Sequence, residues 1–265
     1  LIARLRKQLP ESLYALLQDI GGVGSESDTP VYLIGGIVRD ILLNVPNDDV
    51  DLVVEGDGIA FARRLAEYMG GDVTAHGEFG TATWEHPSGL RIDVASSRQE
   101  YYEHPAALPQ VEFSTLSGDL SRRDFTINAM AICLNKERFG ELIDPFHGRD
   151  DLMHHHVRVL HNLSFVEDPT RIIRAVRFEL RFQFRMDEQT EQLALASCDQ
   201  LGALSAARIG HELEKLFGEV LVSPARAIQR LAHFRFWRSI GACDDDLAPC
   251  LDHAKQLEPL LAGWG

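Results

Sequence analysis

The sequence predicts an α/β head with a small mixed sheet over residues 1–150, followed by an all-α part over 151–265. Three observations predict it. Short β-like runs at 31–34, 50–54, 80–84, 90–95 and 129–134 are interspersed with helical patterns at 38–43 and 59–69, as in a mixed sheet with covering helices. From about Asp150 strand signals stop. Helical periodicity then occupies 167–184, 187–197, 205–218, 223–238 and 247–261, with Gly202, Gly218, Pro224, Gly241 and Pro249 as punctuation. Charge divides in the same way: 1–150 carries 13 Lys and Arg against 24 Asp and Glu, whereas 151–265 carries 13 against 16.

The 265 residues are 45% hydrophobic with a formal net charge of −14, which suits one large domain or two modest ones and argues against a general nucleic-acid coat. A local basic strip remains open. Two segments qualify: 158–185 has six Arg against three acids, and 208–238 has six basic residues against three. No apolar run approaches the roughly 18 residues of a membrane helix, and the N-terminus lacks a signal peptide's apolar core, so a cytoplasmic protein is expected. Cys133, Cys198, Cys243 and Cys250 form no metal spacing and read as thiols of a reducing compartment. The chain opens on Leu1 rather than Met, as expected of a piece of a longer protein.

Residues 1–20 place Leu5, Leu9, Leu13, Leu16, Leu17 and Ile20 at helical spacing, with Gly21-Gly22 as the expected stop. After a turn-rich stretch and a strand comes Gly35-Gly36-Ile37-Val38-Arg39-Asp40. A glycine pair between strand and helix lets backbone amides approach an anion. Asp49 and Asp51 follow, two apart in a strand pattern, so both carboxylates project from one face. Such a pair is a platform for Mg²⁺, which takes oxygen ligands and shares itself with substrate phosphates. Asp93, in the strand pattern 90–95, could join them from a neighbouring strand as ligand or base, or pair with Arg91 or Arg98 at the surface. No Walker loop, Gly-x-Ser-x-Gly elbow or His-Glu-x-x-His is present, which removes support from those hydrolase classes.

The stretch from Arg98 to Leu120 is proline-punctuated and weakly periodic, and reads as a long mobile loop. Arg122-Arg123-Asp124 is a basic pair in an acidic half, either an anion contact or a local ion pair. Asp168-Pro169 has the grammar of a helix start, so Asp168 is a cap candidate, yet Arg171 lies three residues on and can point the same way. An Asp acceptor beside an Arg donor suits the polar edge of a base. At about 100° per residue, Arg171, Arg174, Arg177, Arg181 and Arg185 share one helical face and Ile172, Ile173, Val176 and Leu180 the other. That face is either a solvated cover or a basic wall flanked by Phe178 and Phe182. Arg226, Arg230, Arg235 and Arg238, with Phe234, Phe236 and Trp237, could extend it. His154-His155-His156 and Asp244-Asp245-Asp246 read as solvated runs.

Together these motifs resemble the class II tRNA nucleotidyltransferase and bacterial poly(A) polymerase family. Gly35 to Asp40 with Asp49-x-Asp51 resembles its first motif, and Arg122-Arg123-Asp124-Phe125-Thr126-Ile127-Asn128-Ala129-Met130-Ala131 its second. Asp144-Pro145-Phe146-x-Gly148-x-x-Asp151-Leu152, Glu167-Asp168-x-x-Arg171-x-x-Arg174-Ala175-x-Arg177-Phe178 and Ser205-x-x-Arg208-Ile209-x-x-Glu212-Leu213 are similar to the third, fourth and fifth. The match runs over about 31–215.

The resemblance implies a nucleotidyltransferase-type head with a helical neck and partial body, adding nucleotides to an RNA 3′ end without a nucleic-acid template. The product would be all or part of the CCA end of tRNA, made from CTP and ATP with release of pyrophosphate. Alternatives are a poly(A) polymerase or a non-catalytic RNA-binding homologue. By the same resemblance Asp49 and Asp51 would hold Mg²⁺; Asp93 is a catalytic candidate on its strand position alone. Gly35, Gly36 and Arg39 would meet the triphosphate, and Arg122, Asp124 and Asn128 the ribose and phosphates. Glu167, Asp168 and Arg171 would handle the base, with Arg174 and Arg177 on the same helix. The helical tail that would clamp the tRNA elbow is expected to be short or absent.

Overall fold

The computed structural model describes residues 1–47, 49–77, 80–101, 110–219, 222–242 and 247–261. One compact unit comprises Leu1–Tyr101 and Gln110–Met153, and a second includes the chain from His154 on. In the first, α1 (Ile2–Gln8) and α2 (Glu11–Glu26) precede β1 (Val31–Ile34), α3 (Gly36–Leu43), β2 (Val50–Val54) and α4 (Gly58–Met69). Then come β3 (Asp72–His76), β4 (Thr81–Glu85), β5 (Arg91–Ser96), β6 (Arg98–Tyr101), β7 (Gln110–Phe113) and α5 (Leu116–Ser121). The unit closes with β8 (Ala131–Cys133), β9 (Leu142–Ile143) and α6 (Gly148–His154).

Seven of these strands form one mixed sheet in the order β3-β4-β5-β2-β1-β8-β9. Within it only the β2–β5 pair is parallel; the other neighbours run antiparallel. A parallel pair needs a crossover, and α4 supplies its helix. Asp57 caps α4 by accepting from the Ala60 amide at 3.0 Å, and Phe61, Ala62 and Leu65 give it a buried face toward β4 and β5. The centre of the sheet is sealed: β1 is buried at all four positions. The sheet places the C-terminal end of β1 and the N-terminal ends of β2 and β5 at one edge, where the carboxylates gather.

The second unit contains β10 (His156–Val157), α7 (Ser164–Glu167), α8 (Thr170–Phe182), β11 (Arg185–Met186), α9 (Glu188–Ser197), α10 (Ala206–Phe217), α11 (Pro224–His233), α12 (Phe236–Ser239) and α13 (Leu247–Leu261). Its centre is α8, which packs on α10 and α11 and buries Ile172, Ile173, Ala175, Val176 and Phe178. Among the described residues no helix is long and apolar enough to cross a membrane.

The α/β head and helical remainder are therefore found as expected, but four local readings are corrected. Residues 1–20 are two helices, because Pro10 interrupts the first, and Gly21-Gly22 lie inside α2 rather than ending it. Their role is close approach: a Cβ on Gly21 would sit 1.7 Å from the Leu134 carbonyl oxygen. The stretch read as a loop from Arg98 contains two paired strands, β6 and β7, with Arg98 opposite Phe113, and then α5; the Tyr102, His104-Pro105 and Leu108-Pro109 portion lies outside the described residues. Strand signal does not end at 150, since β10 and β11 form a short parallel pair. The helix expected over 223–238 breaks at Arg235, whose φ of 54° lets both Phe234 and Phe236 enter the core.

Gly21→Ala should therefore destabilise the head by about 1–3 kcal/mol, the usual cost of overpacking, as read by urea unfolding. Gly210, inside α10, is the control, because a Cβ added there would meet nothing within 4 Å. There the same change should stabilise by about 0.5–1 kcal/mol through helix propensity.

Candidate active site

The parallel register sets Asp51 of β2 opposite Asp93 of β5. Asp49 sits just before β2 and is exposed, its amide held by Asn47 Oδ1 at 2.8 Å, while Asp51 is half-buried. Burial first, and next the charge of Asp49, push the Asp51 carboxyl up to about 6; Arg123 pulls it down and Asp93 adds to the rise. Asp93 accepts a hydrogen bond from Thr83 Oγ1 at 2.5 Å across the β4–β5 pair. This donor set is all carboxylate oxygen with excess negative charge, which fits a hard divalent cation. Among the described residues no group of three or more His, Cys, Asp or Glu could by itself hold a metal ion. A cation on Asp49 and Asp51 would thus draw its remaining ligands from water or substrate oxygen.

Asp51 and Asp93 line a cavity of about 340 Å³ together with His76, Thr81, Thr83, Arg122 and Arg123. The two arginines are anchored by Asp119 of α5. Its Oδ1 accepts from Arg122 Nε at 3.0 Å and Nη2 at 2.7 Å, and its Oδ2 from Arg123 Nη2 at 3.0 Å. Burial alone would raise the Asp119 carboxyl, but Arg123 and Arg122 outweigh it and hold the group below the usual carboxylate range.

Arg39, expected to meet the triphosphate, is buried instead in an internal chain. Its Nε and Nη2 donate to Asp40 at 2.8 and 3.0 Å, and its Nη1 donates to Asn128 Oδ1 at 2.6 Å. Asn128 Nδ2 in turn donates to Asp124 Oδ1 at 2.9 Å, and Asp124 also accepts from the Phe125 amide. Arg39, Asp124 and Asn128 therefore brace the turn after β1 against the segment before β8. They do not line the cavity. Gly35, with φ of 79°, makes the strand-to-helix turn, and a Cβ there would lie 3.0 Å from Arg123 Nη1. Gly36 opens α3 behind it.

The remaining predicted residues belong to the helical unit. Asp168 lies just before α8, accepting from the Thr170 amide at 3.0 Å and its hydroxyl at 2.6 Å, and it also receives Arg208 Nη2 at 2.7 Å. Arg171 is buried with its guanidinium 4.0 Å from Glu167 and 3.5 Å from the Ser164 carbonyl oxygen. The five-arginine face is corrected in part. Arg185 lies on β11 because Gln183 ends α8 with φ of 56°. Arg174 and Arg181 pair with Glu212 and Glu219 at 3.6 and 3.0 Å. Arg177 stacks on Phe178 at 5.1 Å, and Phe178 is core rather than an exposed flank. The second basic stretch is also structural at its centre: Arg230 donates to the buried Glu179 at 2.7 and 2.9 Å and to Glu191 at 2.7 Å. His155 stacks on Phe184, and Asp244-Asp245-Asp246 lie outside the described residues.

Residues 31–158 match the family model described as the poly A polymerase head domain. The chain is 49% identical over 259 residues to an A-adding tRNA nucleotidyltransferase of Geobacter sulfurreducens, covering 96% of this chain and 29% of that protein. It belongs to the tRNA nucleotidyltransferase and poly(A) polymerase family. An A-adding tRNA nucleotidyltransferase of Halalkalibacterium halodurans is 41% identical over 244 residues, covering 91% of this chain and 57% of that relative. A solved CCA-adding enzyme, in an apo form, superposes with a TM-score of 0.86 at 46% identity over 89% of this chain and 56% of its own. The chain thus spans from 29% to 57% of the length of these relatives. The resemblance drawn from the five motifs is borne out at the level of family and fold.

Sequence reasoning passed over His76, Thr83, Asp40 and Asp119 as members of the site. Asp119 carried a usable signal, an acid three and four residues before two consecutive arginines on a helical turn. Arg230→Ala should leave Glu179 buried without its counter-charge and cost the helical unit about 3 kcal/mol or more, measured by denaturant unfolding.

Proposed function

We propose that the chain is the catalytic part of a template-independent tRNA nucleotidyltransferase, working in the cytoplasm on the tRNA 3′ end. It transfers CMP and/or AMP from CTP or ATP and releases pyrophosphate. The observation that carries this reading is that one cavity is lined both by the carboxylates Asp51 and Asp93 and by the guanidinium groups of Arg122 and Arg123. A pyrophosphate-releasing transfer needs such opposed charge, since the arginines suit phosphate oxygens and the carboxylates suit a cation.

In this reading the head, 1–150, holds the triphosphate, and the helical part, 151–265, selects the base. Mg²⁺ on Asp49 and Asp51 would supply positive charge to the attacking 3′-hydroxyl and the leaving pyrophosphate. Asp93, oriented by Thr83, is the nearby acceptor for the hydroxyl proton. Arg122 and Arg123 bind phosphate oxygens, and Gly35 with Gly36 gives the backbone room to approach them. Arg39, Asp124 and Asn128 keep that turn in place. Glu167, Asp168 and Arg171 offer acceptors and donors to the polar edge of the base, with Arg174 and Arg177 along the same helix.

AMP is the favoured nucleotide because the two relatives at 49% and 41% identity carry A-adding names. The deciding assay offers each nucleoside triphosphate singly to tRNA lacking CCA, tRNA lacking only the final A, and an unrelated RNA. AMP transfer confined to the tRNA ending in CC is the expected result. CMP transfer would shift the assignment to CC or CCA addition, long tails on unrelated RNA to poly(A) synthesis, and no Mg²⁺-dependent incorporation would overturn the catalytic reading.

Asp51→Asn should lower incorporation by about a thousandfold, several kcal/mol of lost charge stabilisation, with Tm unchanged or higher because a like-charge contact is relieved. Arg171→Ala should reduce discrimination between ATP and CTP by about tenfold or more while pyrophosphate release per incorporated nucleotide stays at one. Unaltered discrimination would remove Arg171 from base selection.

A further inference from the structure

Asp119 is fully buried, yet none of the chemical steps above uses its charge. It stands three and four residues before Arg122 and Arg123, so a single helical turn delivers both guanidinium groups to its two oxygens. The Arg98 amide adds a longer contact to Oδ1 at 3.4 Å, tying the start of β6 to the same carboxylate. Both arginines line the cavity that Asp51 and Asp93 also line. Arg123 is close enough for its charge to act on Asp51. Without a competing anion, attraction would draw Arg123 onto those carboxylates, where a divalent cation should sit.

We propose that Asp119 is a positioning residue that keeps the two charges of the site apart. It fixes Arg122 and Arg123 on the wall that receives the triphosphate, and it holds Arg123 off the carboxylates that receive the metal. The inference rests on the nucleotidyltransferase reading for what the two walls bind. Its consequence is specific: losing Asp119 should weaken metal and nucleotide binding by different routes, the first through an arginine in the wrong place and the second through an arginine missing from the right one.

The test uses the full-length protein with Asp119→Asn, Asp119→Glu and the double variant Asp119→Asn with Arg123→Gln. Mn²⁺ binding is read by electron paramagnetic resonance without nucleotide or RNA, and ATP and CTP binding by calorimetry. Asp119→Asn should weaken both by about tenfold, the scale on which one neighbouring charge acts on another. Adding Arg123→Gln should restore Mn²⁺ binding but not nucleotide binding, and Asp119→Glu should recover part of both. A merely structural role predicts no rescue by Arg123→Gln. A folded Asp119→Asn protein that binds Mn²⁺ and nucleotide as wild type overturns the inference, as does a Mn²⁺ defect that Arg123→Gln leaves in place. Should Asp119→Asn fail to fold, Asp119→Ser, which also removes the charge, gives the same two readings with and without Arg123→Gln. No RNA is present in either measurement, so failure to extend RNA would count against the enzymatic reading and leave this one standing.

Discussion

Two like charges face each other across a parallel strand pair, and much of the head is arranged around that conflict. Directly opposed carboxylates destabilise a sheet, and partial burial of Asp51 strengthens the repulsion. A free β2–β5 ribbon would have no reason to choose this register. The register is imposed from elsewhere: β1 pairs β2 on one side, β4 pairs β5 on the other, and α4 covers the crossover. The apolar burial of β1, β2 and β5 supplies the stabilising energy, and the carboxylates occupy the edge where that energy has placed them. The strain is offset locally by Arg123 and by the Thr83 hydrogen bond, and more fully by any cation the edge recruits.

The same reasoning explains how an acidic chain offers a place to anions. Net charge acts at long range, but an anion responds to the local lining, and Arg122 and Arg123 place positive charge there within the more acidic part of the sequence. The arginines of the helical unit divide differently. Arg174, Arg181, Arg208 and Arg230 each have a carboxylate partner, so counting cations along α8, α10 and α11 overstates the positive field that an RNA would feel. Their pairing with Glu212, Glu219, Asp168 and Glu179 instead links α8 to its neighbours through specific charge-assisted contacts.

Legibility in the sequence followed the range of the forces involved. Val31–Ile34 and Val50–Val54 could be read as strands because their apolar runs are nearly uninterrupted. Asp49 and Asp51 could be read as a pair because a strand's period of two is local. The pairing of Asp51 with Asp93 was only an expectation, since strand order is decided by packing between segments far apart in sequence. Gly21 was misread for a related reason. Its lack of a side chain answers to Leu134, more than a hundred residues away, and not to its own helix. The two strands β6 and β7 are four residues each and pair only with each other; β6 (Arg-Gln-Glu-Tyr) carries no apolar alternation, and the Gln-Val-Glu-Phe alternation of β7 is too short to stand out. Arg39, which the resemblance alone assigns to the triphosphate, is held in this fold by Asp40 and Asn128, the second of them from a segment far away in sequence.

That last displacement bears on how selectivity can be built without a template strand. A base-reading group discriminates only if it does not move to suit the wrong base, because mobility lets an incorrect partner recover lost hydrogen bonds. Asp168 is fixed on one side by the Thr170 amide and hydroxyl and on another by Arg208. Arg171, on the first turn of the same helix, is buried, with Glu167 and the Ser164 carbonyl near its guanidinium. Thr170 and the Ser164 carbonyl flank the turn that joins α7 to α8, so both groups are referred to one hydrogen-bonded corner of the helical unit. A rearrangement of that corner would move donor and acceptor together and change which base edge they fit. On the proposed role of Asp168 and Arg171, specificity for one nucleotide over another would be a property of the corner's geometry more than of the identities of these two residues.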